Sequence, residues 1–193
     1  MKVLGIYCSP RKGGNSDILL NEALRGAQSV GAEMIDPVRC CDPSVKINGC
    51  LECGGCDKTG TCVVDDDMQL IYPRLLAADI IILATPIFFY GVPSQGKALI
   101  DRCQALWSKR MLEKTPEQRR RYDSGRGYMI AVGATKGANL FVGMELTAKY
   151  FYDALDMSYE GGVLVKQIES KGDIAKYPEY LEKAFELGRG ATG

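Results

Sequence analysis

Short, unbroken apolar runs alternate along this chain with longer amphipathic stretches. The first run, Lys2 to Cys8, predicts a buried strand. Ser9 to Ser16 is polar and predicts a loop. From Asp17 to Val30 the residues Leu20, Ala23, Leu24 and Ala27 share one face, so a helix is expected there, with Ser16 as N-cap. A second, short strand is expected over 33–38. Residues 39–67 show no clean period. Asp65, Asp66 and Asp67 suit a helix N-terminus and predict a helix to about Leu76. Asp79 to Thr85 is apolar throughout after its first residue and predicts a strand buried on both faces. A helix is expected from Ser94 to about Leu112, with Leu99, Cys103, Leu106 and Trp107 inward. Strands over 128–134 and 161–165 flank a helix expected over 140–155. Pro178 opens a last helix, which Gly188 or Gly190 is expected to end.

The order is β-α-β-loop-α-β-α-β-α-β-α. Alternation of this kind predicts a parallel sheet with helices on both faces. Right-handed crossovers leave few topologies for it. Five strands favour the flavodoxin-like order 2-1-3-4-5, a three-layer α/β sandwich. The cysteine-rich stretch, about 39–67, is then an insertion after strand 2. No repeat or linker divides the chain, so 1–193 is expected to form one domain.

Composition narrows the chemistry. The 193 residues contain 24 Lys plus Arg and 24 Asp plus Glu, a net charge of zero. Neither a nucleic-acid partner nor an anionic membrane is expected from that balance. No apolar run is long enough to span a bilayer, and Val3 to Cys8 is too short for a signal-peptide core. A cytoplasmic location is expected. The chain has no histidine, which removes Ser-His-Asp and Cys-His catalysis and any His-bound metal. Catalysis must then use a cofactor, or Cys, Lys, Tyr and carboxylates.

Cysteine is the strongest signal. Four of the eight fall at Cys50, Cys53, Cys56 and Cys62. Two residues between each of the first three is the spacing bacterial-type ferredoxins use for a [4Fe–4S] cube. Gly54 and Gly55 let the chain turn tightly between thiolates. Zinc is the rival ligand, but structural zinc sites usually pair two separated C-x-x-C knuckles. Free thiols are the third possibility. Cys40 and Cys41 read as bystanders, and Cys8 and Cys103 as small buried hydrophobes.

Three other segments reach the carboxyl ends of strands, where such sheets bind ligands. Ser9, Arg11, Lys12, Gly14, Asn15 and Ser16 precede a helix N-terminus and suit a phosphate monoester. No G-x-G-x-x-G is present to hold a pyrophosphate. A polar turn with a good cap is the plain alternative. Pro86, Ile87, Phe88, Phe89, Tyr90 and Gly91 offer an apolar wall for a flat ring, or else core packing or a dimer contact. Thr135, Lys136 and Gly137 form either the ring's polar edge or an ordinary turn.

The runs Ser-Pro-Arg…Gly-Asn-Ser and Thr-Pro-Ile-Phe-Phe-Tyr-Gly-Val-Pro-Ser-Gln…Lys-Ala-Leu-Ile-Asp-Arg resemble the NADPH-dependent FMN reductase group of flavodoxin-like proteins. The stretch from Lys46 through the four cysteines to Met68 resembles the iron–sulfur flavoproteins within it. The resemblance covers roughly residues 1 to 135, and Gly14 is a small departure from it. It implies that Ser9, Arg11, Asn15 and Ser16 hold the FMN phosphate. Pro86 to Gly91 would line the isoalloxazine, with Thr135 to Gly137 on its far side. Cys50, Cys53, Cys56 and Cys62 would ligate a [4Fe–4S] cluster. A homodimer or dimer of dimers is also implied.

The function expected on this footing is electron transfer between a [4Fe–4S] cluster and FMN, from a carrier such as ferredoxin to a small acceptor. Protein groups would bind and tune the cofactors, with no acid–base residue of their own. The alternative is a cluster-free reductase in which NAD(P)H reduces FMN, which then reduces quinones or similar acceptors. A third is a redox sensor that binds FMN without turnover.

Overall fold

In the computed structural model of residues 1–193 the chain begins with β1 (Lys2–Tyr7), α1 (Asn15–Ser29), β2 (Glu33–Met34) and β3 (Val38–Arg39). It continues through α2 (Met68–Ala77), β4 (Ile80–Pro86), α3 (Ser94–Arg102), α4 (Gln104–Glu113) and β5 (Gly125–Val132). It ends with α5 (Val142–Ala154), β6 (Met157–Val165) and α6 (Pro178–Ala191). All strand pairs named here are parallel, in the order β2-β1-β4-β5-β6, with β3 also on β1.

The expected five-position order is present with six strands, because the edge strand is split. β2 pairs with the start of β1 and β3 with its end. Pro37 stands in the gap and has no N–H to donate, which only an edge strand tolerates.

Alternation along the strands builds two cores. Leu4, Ile6, Cys8, Ile81 and Leu83 face α2 to α5. Val3, Tyr7, Ile80, Ile82 and Ala84 face α1 and α6. Both faces of β1 and β4 are therefore covered, which explains their unbroken apolar runs.

Other boundaries move for physical reasons. The expected 94–112 helix breaks at Cys103, whose N–H bonds the Ile100 carbonyl three residues back instead of four (3.0 Å). The break turns Trp107 outward, leaving it 40% exposed rather than inward, while Leu99, Cys103 and Leu106 stay buried. α1 starts at Asn15 with Gly14 at its cap, so Ser16 lies inside the helix. β5 spans 125–132, not 128–134, and α5 starts at Val142, not 140. β6 starts at Met157, not 161; after the buried Met157, the partly or fully exposed residues 158–162 hide the strand's period, and its pairing with β5 is irregular between Gly127 and Met129. α6 runs through Gly188 and Gly190 to Ala191. Gly188 is a packing residue instead of a stop. A Cβ there would lie 1.7 Å from the Ala23 carbonyl oxygen, and one at Gly26 would lie 2.0 Å from that of Phe185. The two helices touch backbone to backbone.

Gly188→Ala must push α6 off α1. It is expected to lower stability by about 1–3 kcal/mol, the usual range for overpacking. Urea unfolding should show a lower midpoint at unchanged slope. An unchanged midpoint would mean that the helices separate at no cost.

Candidate functional site

β1 and its neighbours deliver three loops to one edge of the sheet. The Ser9–Gly14 turn is fixed from within. The Ser9 hydroxyl oxygen accepts the Arg11 N–H (3.1 Å), and Gly14 N–H donates to the Arg11 carbonyl (2.8 Å). Gly13 adopts φ +70° and donates its N–H to Asp17 Oδ2 (3.0 Å). Asp17 is buried, paired with Arg39 at 3.0 Å, and its Oδ1 has no partner. Arg39 also lies over the Tyr7 ring, 3.8 Å from its centroid. No side chain caps α1, so its first-turn N–H groups are left for an external acceptor.

These groups open on a cavity of about 210 Å³ lined by Ser9, Arg11, Gly14, Asn15 and Ser16 on one side and Pro86, Ile87 and Phe88 on another. Two cations, Arg11 and Lys171, give it an anion-binding character. Val132, Ala134, Ile168 and Glu169 complete the wall. The segment 168–171 was not foreseen in the sequence, although it follows the last strand at the same sheet edge. Asn15 brings it there. Its Nδ2 donates to the Ser170 carbonyl (2.9 Å), and its Oδ1 accepts the Ile174 N–H (3.2 Å). The Asn15 side chain thus holds a loop in place instead of reaching for a ligand.

Lys12, Phe89, Tyr90, Gly91, Thr135, Lys136 and Gly137 do not line this cavity. Phe88 and Gly91 exchange both backbone hydrogen bonds at 2.9 Å, closing a two-residue turn. Its central residues Phe89 and Tyr90 have φ 49° and 62°, where Asn and Gly are usual. Such conformations cost on the order of 1–3 kcal/mol each. The turn leaves Phe89 fully exposed, with Phe88 and Tyr90 about half exposed. The aromatic run is therefore not core packing. The Tyr90 hydroxyl lies over Gly137, where a Cβ would come within 2.8 Å of it, so the second and third loops do meet.

The four cysteines form a second place of interest. Cys50, Cys53, Cys56 and Cys62 all line one cavity of about 610 Å³, together with Asp101, Arg102, Gln104 and Ala105. No three Cys, Asp or Glu side chains are grouped tightly enough to share one ion. The segment between β3 and α2 has no helix or strand. Glu52 and Gly54 take left-handed φ of 51° and 68°, and the chain turns between Cys50 and Cys56. The Ser108 hydroxyl donates to Cys56 Sγ (3.7 Å), and Gln69 Nε2 donates to the Cys62 carbonyl (3.1 Å). At the neck, Asp66 accepts from Asn48 N–H (2.8 Å) and Met68 N–H (3.0 Å) and is paired with Arg102 (2.7 Å). Burial pushes the Asp66 carboxyl up, but Arg102 and the two N–H groups outweigh it and hold it below its ordinary value. A donor set of four thiols with no nitrogen ligand fits an iron–sulfur cluster or zinc.

The remaining thiols are set apart. Cys8 and Cys40 are buried with their sulfurs 3.9 Å apart. The Cys40 hydrogen bond and burial push Cys8 up, burial raises Cys103 strongly, and burial takes Cys41 up to about 11.

A parallel flavodoxin-like sheet with a cation-lined loop and an aromatic turn at its carboxyl edge has the layout of a flavoprotein. The model of the NADPH-dependent FMN reductase family matches residues 1–157. An iron–sulfur flavoprotein of Methanosarcina thermophila is 34% identical over 172 residues, covering 84% of this chain and 82% of that one. A Bacillus subtilis protein named as an NAD(P)H-dependent FMN-containing oxidoreductase is 30% identical over 192 residues, covering 97% and 96%. Among solved structures, an NAD(P)H:quinone oxidoreductase from Methanothermobacter marburgensis superposes with a TM-score of 0.72 at 14% identity, covering 98% of each chain. The chain belongs to the NADPH-dependent FMN reductase family and, within it, to the iron–sulfur flavoproteins. It is a flavin-dependent oxidoreductase.

Thiol exposure orders reactivity. In iron-free protein, brief alkylation near neutral pH should label the exposed Cys50 and Cys53 first. Cys8, Cys40 and Cys103 should label only on unfolding. Mass spectrometry of the quenched sample reads the order, and early labelling of Cys8 would contradict its burial.

Proposed function

We propose that this chain transfers electrons between a [4Fe–4S] cluster on Cys50, Cys53, Cys56 and Cys62 and an FMN at the Ser9–Ser16 edge. The reading rests above all on the four cysteines lining one cavity. A cluster offers each corner to one thiolate around a volume, whereas zinc requires four sulfurs about 2.3 Å from one ion. Four thiols spread along a cavity wall suit the former. The flavin supplies two-electron storage and the cluster one-electron steps. The protein's own groups bind and orient both.

Arg11, Lys171 and the first-turn N–H groups of α1 would hold the flavin phosphate. Pro86, Ile87, Phe88 and Ala134 would flank its ring system. α3 begins just beyond the aromatic turn and ends at Arg102 in the cysteine cavity. Nine helical residues are roughly 13 Å long at 1.5 Å each. The two places are thus separated by a single short helix.

The electron donor we propose is a ferredoxin-like carrier, and the acceptor a small molecule. The unit at work spans 1–193 and acts in the cytoplasm; no helix is long and apolar enough to cross a membrane. The exposed apolar face supports a homodimer, or a dimer of dimers. Trp107, Leu146 and Tyr150 line one groove with Phe151 below. Tyr90 leans on α5 at Gly143, which joins the aromatic turn to the same face. A second copy would cover it. The rival reading, direct reduction of FMN by NAD(P)H, draws on the Bacillus relative and on the exposed Phe89, a surface for a stacked donor.

Anaerobically purified protein should carry FMN with about four irons and four sulfides per chain, the content of one cube. Cys53→Ser should lose the iron and keep the flavin. FMN without iron in the unaltered protein would leave the NAD(P)H reading. Replacing Arg11 by Ala should weaken FMN about 10- to 100-fold, the usual effect of removing a charged hydrogen bond. Flavin fluorescence titration measures it.

A further inference from the structure

Among the side chains that tie down the cysteine segment, Arg102 from α3 reaches both of its ends. Arg102, the last residue of α3, has a side chain with no solvent exposure. Its Nη1 donates to the Asn48 carbonyl (3.0 Å) and to Asp66 Oδ2 (2.7 Å). Its Nη2 donates to the Val64 carbonyl (3.3 Å) and to Asp66 Oδ1 (3.1 Å). Asn48 and Val64 each stand two residues outside the cysteine run, before Cys50 and after Cys62. One guanidinium therefore spans both ends of the loop.

A guanidinium has five N–H donors in a fixed fork. Four are engaged by these bonds. The fifth, on Nε, is buried and has no partner. A charged donor left unpaired in the interior is costly, so a native structure normally satisfies it. Arg102 also lines the same cavity as all four cysteine residues. An acceptor held against that side chain by the cysteines would offer the unused donor a partner.

We propose that Arg102 is a positioning residue of the four-cysteine site: its fork sets the separation of the loop ends, and its Nε–H donates to the sulfur shell of the bound cluster. The proposal rests on the cluster reading given above. Each added electron makes a thiolate-bound cluster more negative. A cationic donor to its sulfurs stabilises the reduced state more than the oxidised one and raises the potential. Lysine would keep the charge but could neither bridge both carbonyls and the carboxylate nor present the Nε–H.

The test is a redox titration of anaerobic holoprotein, followed by the magnetic resonance signal of the reduced cluster. R102K should disfavour reduction about tenfold, a midpoint about 59 mV lower for one electron. Hydrogen exchange across 49–64 should also quicken. D66N separates the two roles, since it weakens the fork, keeps the Nε–H and removes a negative charge. Its exchange should quicken while its midpoint stays or rises. A midpoint in R102K equal to that of the unaltered protein overturns the donor role. A midpoint that falls in D66N overturns it too, by making loosening alone the cause, and this arm stands even if R102K cannot be recovered with iron. Unaltered protein that takes up no iron on anaerobic reconstitution removes the cluster reading itself, and the proposal with it.

Discussion

The constraint on which the rest depends is the burial of both faces of β1 and β4. Val3, Leu4, Ile6, Ile80, Ile81, Ile82 and Leu83 have no solvent exposure, and successive residues point into opposite cores. These strands pair in parallel, and parallel strands need a helical crossover to return, which covers both faces. Every crossover then starts from the same edge. The Ser9 loop, the Phe88 turn, the Ala134 turn and the 166–177 loop are delivered to one edge by direction of chain, and the Asn15 side chain ties the last of them down.

The cysteine segment obeys a different rule. It buries little and forms no ladder, so its order comes from polar ties at the neck. The Arg102–Asp66 pair is the centre of these, with 0% and 4% side-chain exposure. Buried pairs are weak evidence of net stabilisation, because desolvation offsets attraction. Removing one partner is a different matter, since it leaves an unpaired charge inside and is strongly destabilising. Here the pair also accepts or donates four bonds to the backbone of the loop ends. Its effect is to specify one geometry for the loop ends.

The sheet was legible because its signal is local. Asp79 to Thr85 is apolar after its first residue and forms β4 (Ile80–Pro86), and the cysteine spacing marks a group of thiols that belong together. What could not be read depended on packing at a distance. Trp107 follows a helical period that holds until Cys103 interrupts it. Lys171 enters the cavity only because Asn15 reaches across 155 residues of sequence. The partners of the Asn15 side chain were hidden for the same reason: a polar residue in a loop signals a hydrogen bond but not its recipient. Arg102 falls inside the helix expected over 94–112, where nothing in the sequence marks it as buried. Only the insertion folding over it reveals a buried charge.

The aromatic turn is where sheet direction, backbone strain and exposure meet. Phe89 and Tyr90 occupy left-handed backbone that neither favours, and Phe89 faces water with its whole ring. Both features oppose stability in the isolated chain. A sequence with Asn-Gly at these positions would relieve the backbone and expose no ring. Strain and apolar exposure coincide at the turn that adjoins both the cavity lined by Arg11 and Lys171 and the groove of Trp107, Leu146 and Tyr150. Function accounts for such a combination where stability cannot. On the proposed reading the turn gains its compensation when flavin and a second copy cover it. α3, which starts directly after the turn, then fixes the distance from that covered surface to the cysteines.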